Sequence, residues 1–276
     1  MTDARPPHDP LADLAARALD GDLRATDELC RALQTPLYRL AVRLLHDTED
    51  ARDATQEALL QVVMHLSTFR RDSALMTWAY SIALRHFLRS RRKRDRTQSR
   101  LLLELKIRAG LLITSPSAPT DAERAVERRE TCFGCTRAML QCLTLDERAT
   151  IVLAEILGAD DALGAKLCGV TEATYRKRLS RARSKLRPIV EELCGLTHES
   201  NPCTCERQTR AKQLVGMKAP VRLPLVTDGA VVEAAERLGE VRRWGVALAG
   251  PAAIVAPEDL WARVREKLGG VLDERG

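Results

Sequence analysis

Leucine and alanine return along this chain at intervals of three and four residues, the period of a helix buried on one side. In "LYRLAVRLL", Leu37, Leu40, Ala41, Leu44 and Leu45 share one stripe, and Pro36 just before them reads as a helix start. Upstream, residues 11–34 read as a polar-faced helix interrupted near Gly21. "HDTED" ends one helix and opens another near Thr48 to Asp50, where acids in the first turn suit the helix dipole. That helix is expected to reach about Leu66. Ala51, Ala54, Ala58 and Val62 lie on one side of it, and Asp53, Gln56, Glu57 and Gln61 on another. A polar loop, "TFRRDSAL", leads to a third helix over residues 76–94. Strand-like alternation is hard to find in this half.

The same period sorts the faces of "LTLDERATIVLAEILGADDALGAKLCGVTEATYRKRLSRARSKL". One helix is expected over Asp146 to Leu157, closed by Gly158, and a short one from Asp160 or Asp161 to Leu167. The turn "CGV" then leads to Thr171, a good N-cap for a third helix. Short helix, glycine-containing turn and longer basic helix is the order of a DNA-binding helix-turn-helix. On the last helix Tyr175, Leu179, Ala182 and Leu186 fall on one apolar stripe. Ala173, Lys177, Ser180, Arg181 and Ser184 lie opposite, flanked by Arg176, Arg178 and Arg183. Short residues permit close approach, and long cations reach phosphates or guanine edges. "YRKRLSRARSK" contains no acid, so its crowded like charges are expected to need an anion from outside. Thr171, Thr174, Arg176, Lys177, Arg178, Ser180, Arg181 and Arg183 are the candidate contacts to duplex DNA.

Composition agrees with this pattern. Aromatics make up 3% of the 276 residues, and Leu and Ala are abundant, which favours helix over sheet. A formal net charge of +6 fits a polyanionic partner. "MTDARPPHDP" lacks the basic-then-apolar pattern of a secretory signal, and no run of apolar residues is long enough to span a membrane. A cytoplasmic location is therefore expected, with the eight cysteines as reduced thiols, metal ligands or redox sensors. Five scattered histidines, no Gly-rich phosphate loop, no nucleophile elbow and no HExxH argue against an enzyme, and no cofactor is expected.

Two linked motifs then point to one family. "DTEDARDATQE", "FRRDSALMTWAYSIA" and the basic end "SRRKR" resemble the promoter-melting domain of extracytoplasmic-function sigma factors, small initiation subunits of bacterial RNA polymerase. Residues from about 132 to 190 resemble that family's second domain, whose helix-turn-helix reads the upstream promoter element. Together they cover about half the chain in the expected order. The resemblance implies that Asp50, Asp53, Gln56 and Glu57 dock on a coiled-coil of the polymerase core. It also implies that Arg70, Arg71, Ser73, Thr77, Trp78, Arg85, His86 and Arg89 serve the melted downstream element. Cations track a single-stranded backbone and ring faces cap splayed bases, although Trp78 has the spacing of a core stripe with Ile82 and Phe87. Family members often carry Asn and then Asp where "LRHFLR" offers Arg85 and Arg89, so the base preference at the downstream element is left open. The stand-alone alternative is a helix-turn-helix transcriptional regulator whose first domain only packs or dimerises.

The expected architecture is all-α. An N-terminal helical segment (1–35) precedes the polymerase-binding and melting domain (36–96), a linker (97–124) and the helix-turn-helix domain (125–193). A Cys-containing segment and helical extension follow (194–276), with helices at residues 228–243 and after Pro257 and packing tryptophans at Trp244 and Trp261. A separate anti-sigma factor, or this extension laid over the DNA-binding or polymerase-docking face, would restrain the protein. "CFGC" (Cys132, Cys135) and "CTC" (Cys203, Cys205), with Cys194 and His198 close by, are zinc candidates, against which stand the less usual CxC spacing and inert or redox-active thiols. Cys142 and Cys168 read as small buried residues.

Overall fold

In the computed structural model the described residues are 9–45, 47–91, 97–114, 122–216, 225–226, 253–254, 256–257 and 259–273. The expected helix at 228–243 and Trp244 lie outside them. The helices are α1 (Pro10–Leu19), α2 (Leu23–Leu44), α3 (Thr48–Met64), α4 (Leu75–Arg91), α5 (Arg100–Leu112), α6 (Ala122–Gln141), α7 (Leu145–Ile151), α8 (Asp161–Cys168), α9 (Glu172–Val190), α10 (Cys205–Leu214) and α11 (Asp259–Asp273). Among the described residues the only ladder is a two-residue antiparallel pair, β1 (Leu225–Val226) with β2 (Ala253–Ile254). The chain forms two compact units. One comprises Met1–Val42, Asp47–Ser90 and Ala256–Gly276; the other comprises Arg43–His46 and Arg91–Val255.

In the first unit α2 runs straight through Pro36, where the sequence pattern places a helix start. Leu29, Leu33, Leu37, Leu40 and Leu44 continue one buried stripe across that position. Their joint burial outweighs the roughly 3 kcal/mol that an interior proline costs. Asp9 has a double role that no sequence pattern reveals. One carboxylate oxygen caps α1 by accepting from the Leu11 amide at 3.1 Å, and the other accepts from the Leu75 amide, at the start of α4, at 2.7 Å. α3 opens at Thr48 as expected, because Asp47 accepts from the Glu49 amide at 2.7 Å.

The second unit holds a helix inside the expected linker. α5 packs against α10 and α9, burying Ile107 and Gly110. α7 begins on a capping box made by Thr144 and Glu147, then loosens into a π-turn over Val152–Ile156 that ends at Gly158 with φ +66°. α8 ends on Gly169 in the left-handed conformation, and Thr171 caps α9 by accepting from the Thr174 amide at 3.2 Å. Buried Arg148 ties α6 to α7 by donating to the carbonyls of Leu140 at 2.8 Å and Leu143 at 3.0 Å.

Tyr175 fixes how α9 meets α7 and α8. Its ring lies directly over Gly164, where an added Cβ would meet it at 2.2 Å, and its hydroxyl donates to the Thr150 carbonyl at 3.1 Å. Gly164→Ala is expected to lower the stability of the second unit by about 1–3 kcal/mol through overpacking, and Tyr175→Phe by about 1 kcal/mol through the lost hydrogen bond. Thermal and urea denaturation of the two variants, followed by circular dichroism, checks the order. A Gly164→Ala protein at least as stable as the parent would show that the close approach is not a constraint.

Candidate nucleic-acid interface

The buried stripe of α9 is the expected one: Tyr175, Leu179, Ala182 and Leu186 are all in the core. This rotation leaves Ala173, Lys177, Ser180, Arg181 and Ser184 exposed along a single row. Thr171 and Thr174 are exposed too, and their hydroxyls share a hydrogen bond of 2.9 Å at the head of the helix.

The flanking cations are placed differently from the expectation. Acidic partners for the basic run come from other turns and other helices, so the run does not depend on an outside anion alone. Arg183 donates through Nε at 2.7 Å and Nη2 at 2.5 Å to Glu155, whose side chain is buried in the π-turn. Lys185 reaches Glu147 at 2.7 Å, and Arg178, only 18% exposed, faces Asp146 at 3.5 Å. Arg176 stands 3.3 Å from Glu172 and 3.8 Å from Asp161 but stays exposed. Burial pushes the Glu147 carboxyl upward, yet Lys185 and the Thr144 amide outweigh it and hold the group below the usual range. Arg178 and Arg183 therefore clamp α9 to α7 and its π-turn. Lys177 and Arg181 have no carboxylate partner among the described residues. Sequence periodicity could not find this division, since Glu155 and Arg183 are 28 residues apart.

In the first unit the residues assigned to melted DNA gather around the start and outer side of α4. Arg70 and Arg89 are exposed, and Ser73, Thr77 and Trp78 are half-buried. Trp78 sits against Phe69 with ring centroids 5.4 Å apart, while Phe87 is the fully buried aromatic of the helix. Trp78 is thus neither wholly core nor wholly free. Arg71 takes a left-handed φ of 59°, rare for a residue with a side chain, and its guanidinium donates to the Ala12 carbonyl at 3.2 Å. Arg85 folds back onto its own helix, donating to the Ser81 carbonyl at 2.9 Å and hydroxyl at 3.0 Å.

On α3, Asp53 and Glu57 are exposed and Asp50 is half-buried, as a docking face requires. Gln56 departs from the expectation: it is buried, with Nε2 lacking an acceptor. It falls one turn beyond Arg52, which pairs with Asp259 of α11. Glu57 also meets His86 of α4 at 2.8 Å, joining a residue assigned to polymerase with one assigned to DNA. The α11 contact continues on α2, where Trp261 donates to Asp27, while Leu260 and Val264 are buried.

The Sigma-70 region 2 family model matches residues 29–97, and the Sigma-70 region 4 model matches residues 133–186. The ECF RNA polymerase sigma factor SigM of Mycobacterium tuberculosis is 31% identical over 179 residues, spanning 63% of this chain and 82% of that relative. The RNA polymerase sigma-H factor of Pseudomonas aeruginosa is 31% identical over 189 residues, 65% of this chain and 95% of that relative. Among solved structures, CnrH in complex with the cytosolic domain of CnrY is similar over 65% of this chain and 96% of that one, at 23% identity and a TM-score of 0.44. With its helix-turn-helix, its acidic α3 and relatives matched over nearly their full lengths, the chain belongs to the extracytoplasmic-function sigma factors of bacterial RNA polymerase.

Proposed function

We propose that this sigma factor reads its upstream promoter element with the exposed row of α9 and docks on core polymerase through the acidic side of α3. The single observation that carries the reading is the outward row Lys177, Ser180 and Arg181, held in place by a buried Tyr175 on the opposite side. Lys177 and Arg181 have the reach for guanine edges and phosphates, and Ser180 leaves room for a base edge between them. Arg70, Thr77, Trp78 and Arg89 form the surface offered to the unpaired downstream strand, with cations along the backbone and a half-open ring for a base. Arg71 and Arg85, tied to Ala12 and Ser81, shape that surface. Sigma factors are not themselves catalysts, so RNA synthesis belongs to the polymerase core. Among the described residues no helix is long and apolar enough to cross a membrane, and the site of action is the cytoplasm, where the polymerase and promoters are. A separate anti-sigma factor remains an additional partner of the class that this reading accommodates.

α11 supports a restraint from within. It occupies the flank of α3 that includes Arg52, while Asp53 and Glu57 stay open. Full engagement of the docking face then requires α11 to yield beside Arg52.

Run-off transcription with purified core polymerase is expected to show promoter-specific initiation without another sigma factor. Transcription that needs a second sigma factor would instead mark a stand-alone regulator. Arg181→Ala is expected to weaken promoter binding by about 1–3 kcal/mol and to relax the preference at one upstream base pair. Arg183→Ala is expected to act mainly on stability, lowering the melting temperature because Glu155 is left buried without its partner. Equal effects of the two on sequence preference would refute the division of labour. Deleting residues 256–276, or reversing one end of the contact with Asp259→Arg, is expected to tighten binding to core polymerase severalfold in a fluorescence titration. Unchanged or weaker binding in both would refute the restraint.

A further inference from the structure

Five of the eight cysteines converge in the second unit, and neither promoter recognition nor polymerase docking uses them. Cys132 and Cys135 lie one turn apart on α6, the helix against which α10 packs. Cys205 is the first residue of α10 and Cys203 stands just before it. Cys203 pairs with Cys194 in an isolated parallel bridge, with Gly195 donating to the Cys203 carbonyl at 2.8 Å and Cys203 donating to the Leu193 carbonyl at 2.9 Å. Residues on opposite strands of such a bridge project to the same side. Cys132 and Cys205 lie close enough to interact, and Cys135 lies within electrostatic range of Cys194, Cys203 and Cys205. The sequence offered the two thiol pairs as zinc candidates with Cys194 and His198 close by; the fold brings both pairs and Cys194 to one place.

The surroundings are built. Asn201 donates to the carbonyls of Glu191 at 2.9 Å and Cys194 at 3.0 Å, which fixes the loop carrying Cys194 to Cys203. Arg207 donates to the carbonyls of Leu111, Thr114 and Pro202, each at 2.8 Å, and so anchors the start of α10. Lys212 comes within 3.9 Å of the position a Cβ would take on Gly134, between Cys132 and Cys135, and Arg128 faces Cys205. Two cations beside a group of thiols offset the negative charge that the thiols acquire on binding a metal.

We propose that Cys132, Cys135, Cys203 and Cys205, supported by Cys194, bind one soft divalent cation, with zinc as the probe. Thiolates are the ligands such an ion prefers, and a closed four-sulfur set is the structural type of site. Binding replaces four S–H bonds by four metal–sulfur bonds and releases four protons to solvent, with no change of oxidation state. Among the described residues no three ligating side chains already stand at metal-binding spacing. Zinc–sulfur bonds of about 2.3 Å would draw the sulfurs to about 3.8 Å from one another. The ion would tie the segment after the helix-turn-helix to α6, and the inference stands independently of the promoter reading.

The test is made on the full chain, purified without chelator and analysed for metal by mass spectrometry. One zinc per chain is expected, released stoichiometrically when an organomercurial titrates the thiols. Replacement by cobalt(II) is expected to give thiolate charge-transfer absorption and the visible bands of a tetrahedral ion. Cys132→Ser combined with Cys135→Ser should abolish both signals, whereas Cys30→Ala, on α2 in the other unit, should keep them. If the double variant fails to fold, zinc titration of the metal-free parent against a chromophoric chelator decides the matter. A parent chain that takes up neither zinc nor cobalt, with its thiols inert, would overturn the proposal. A Cys132–Cys205 disulfide found by peptide mapping would overturn it too, in favour of a redox pair.

Discussion

Tyr175 lying over Gly164 is the contact on which the proposed reading surface depends. A helix packed through a ring on a bare backbone has one rotational setting, because sliding or turning it would open a void on one side and a clash on the other. With the hydroxyl also bound to Thr150, the orientation of α9 relative to α7 and α8 is determined. The direction in which Lys177, Ser180 and Arg181 point follows from that setting. An apolar contact thus decides the geometry of a polar interface.

The basic run on α9 does two kinds of work that net charge cannot separate. Arg178, Arg183 and Lys185 face Asp146, Glu155 and Glu147, so part of the charge is spent in holding helices together. Because Glu155 and Glu147 are buried, these pairs are more than surface ion pairs, and losing one partner leaves a carboxylate without compensation. Lys177 and Arg181 have no carboxylate partner among the described residues, and they are the cations proposed to meet DNA. Electrostatic repulsion within the helix is accordingly lower than the linear sequence suggests.

The segment beyond the helix-turn-helix is distributed between the two units. α10 packs on α5 and α6 in one, and α11 packs on α2 and α3 in the other. The helix α5 inside an expected linker has a related origin, since its apolar residues find partners on α10, α9 and α6, far away in sequence. The side of α3 that carries Arg52 looks solvent-facing in isolation and is partly covered once α11 is in place.

Local pattern alone determined the all-α class, the helix-turn-helix, the start of α3 near Thr48, the cap at Thr171 and the apolar stripe of α9. Each of these depends on residues within a turn or two of one another, which is the range over which period and capping act. Pro36 misled for the same reason: a local rule places a helix start there, and only the long leucine stripe carries α2 through it. Tertiary structure decided which cations clamp and which remain offered, how exposed Trp78 is, the dual grip of Asp9, the burial of Gln56 and the meeting of five cysteines. Those outcomes depend on partners far away in sequence, as with Asp9 and Leu75 or Glu155 and Arg183, and no helical period encodes them.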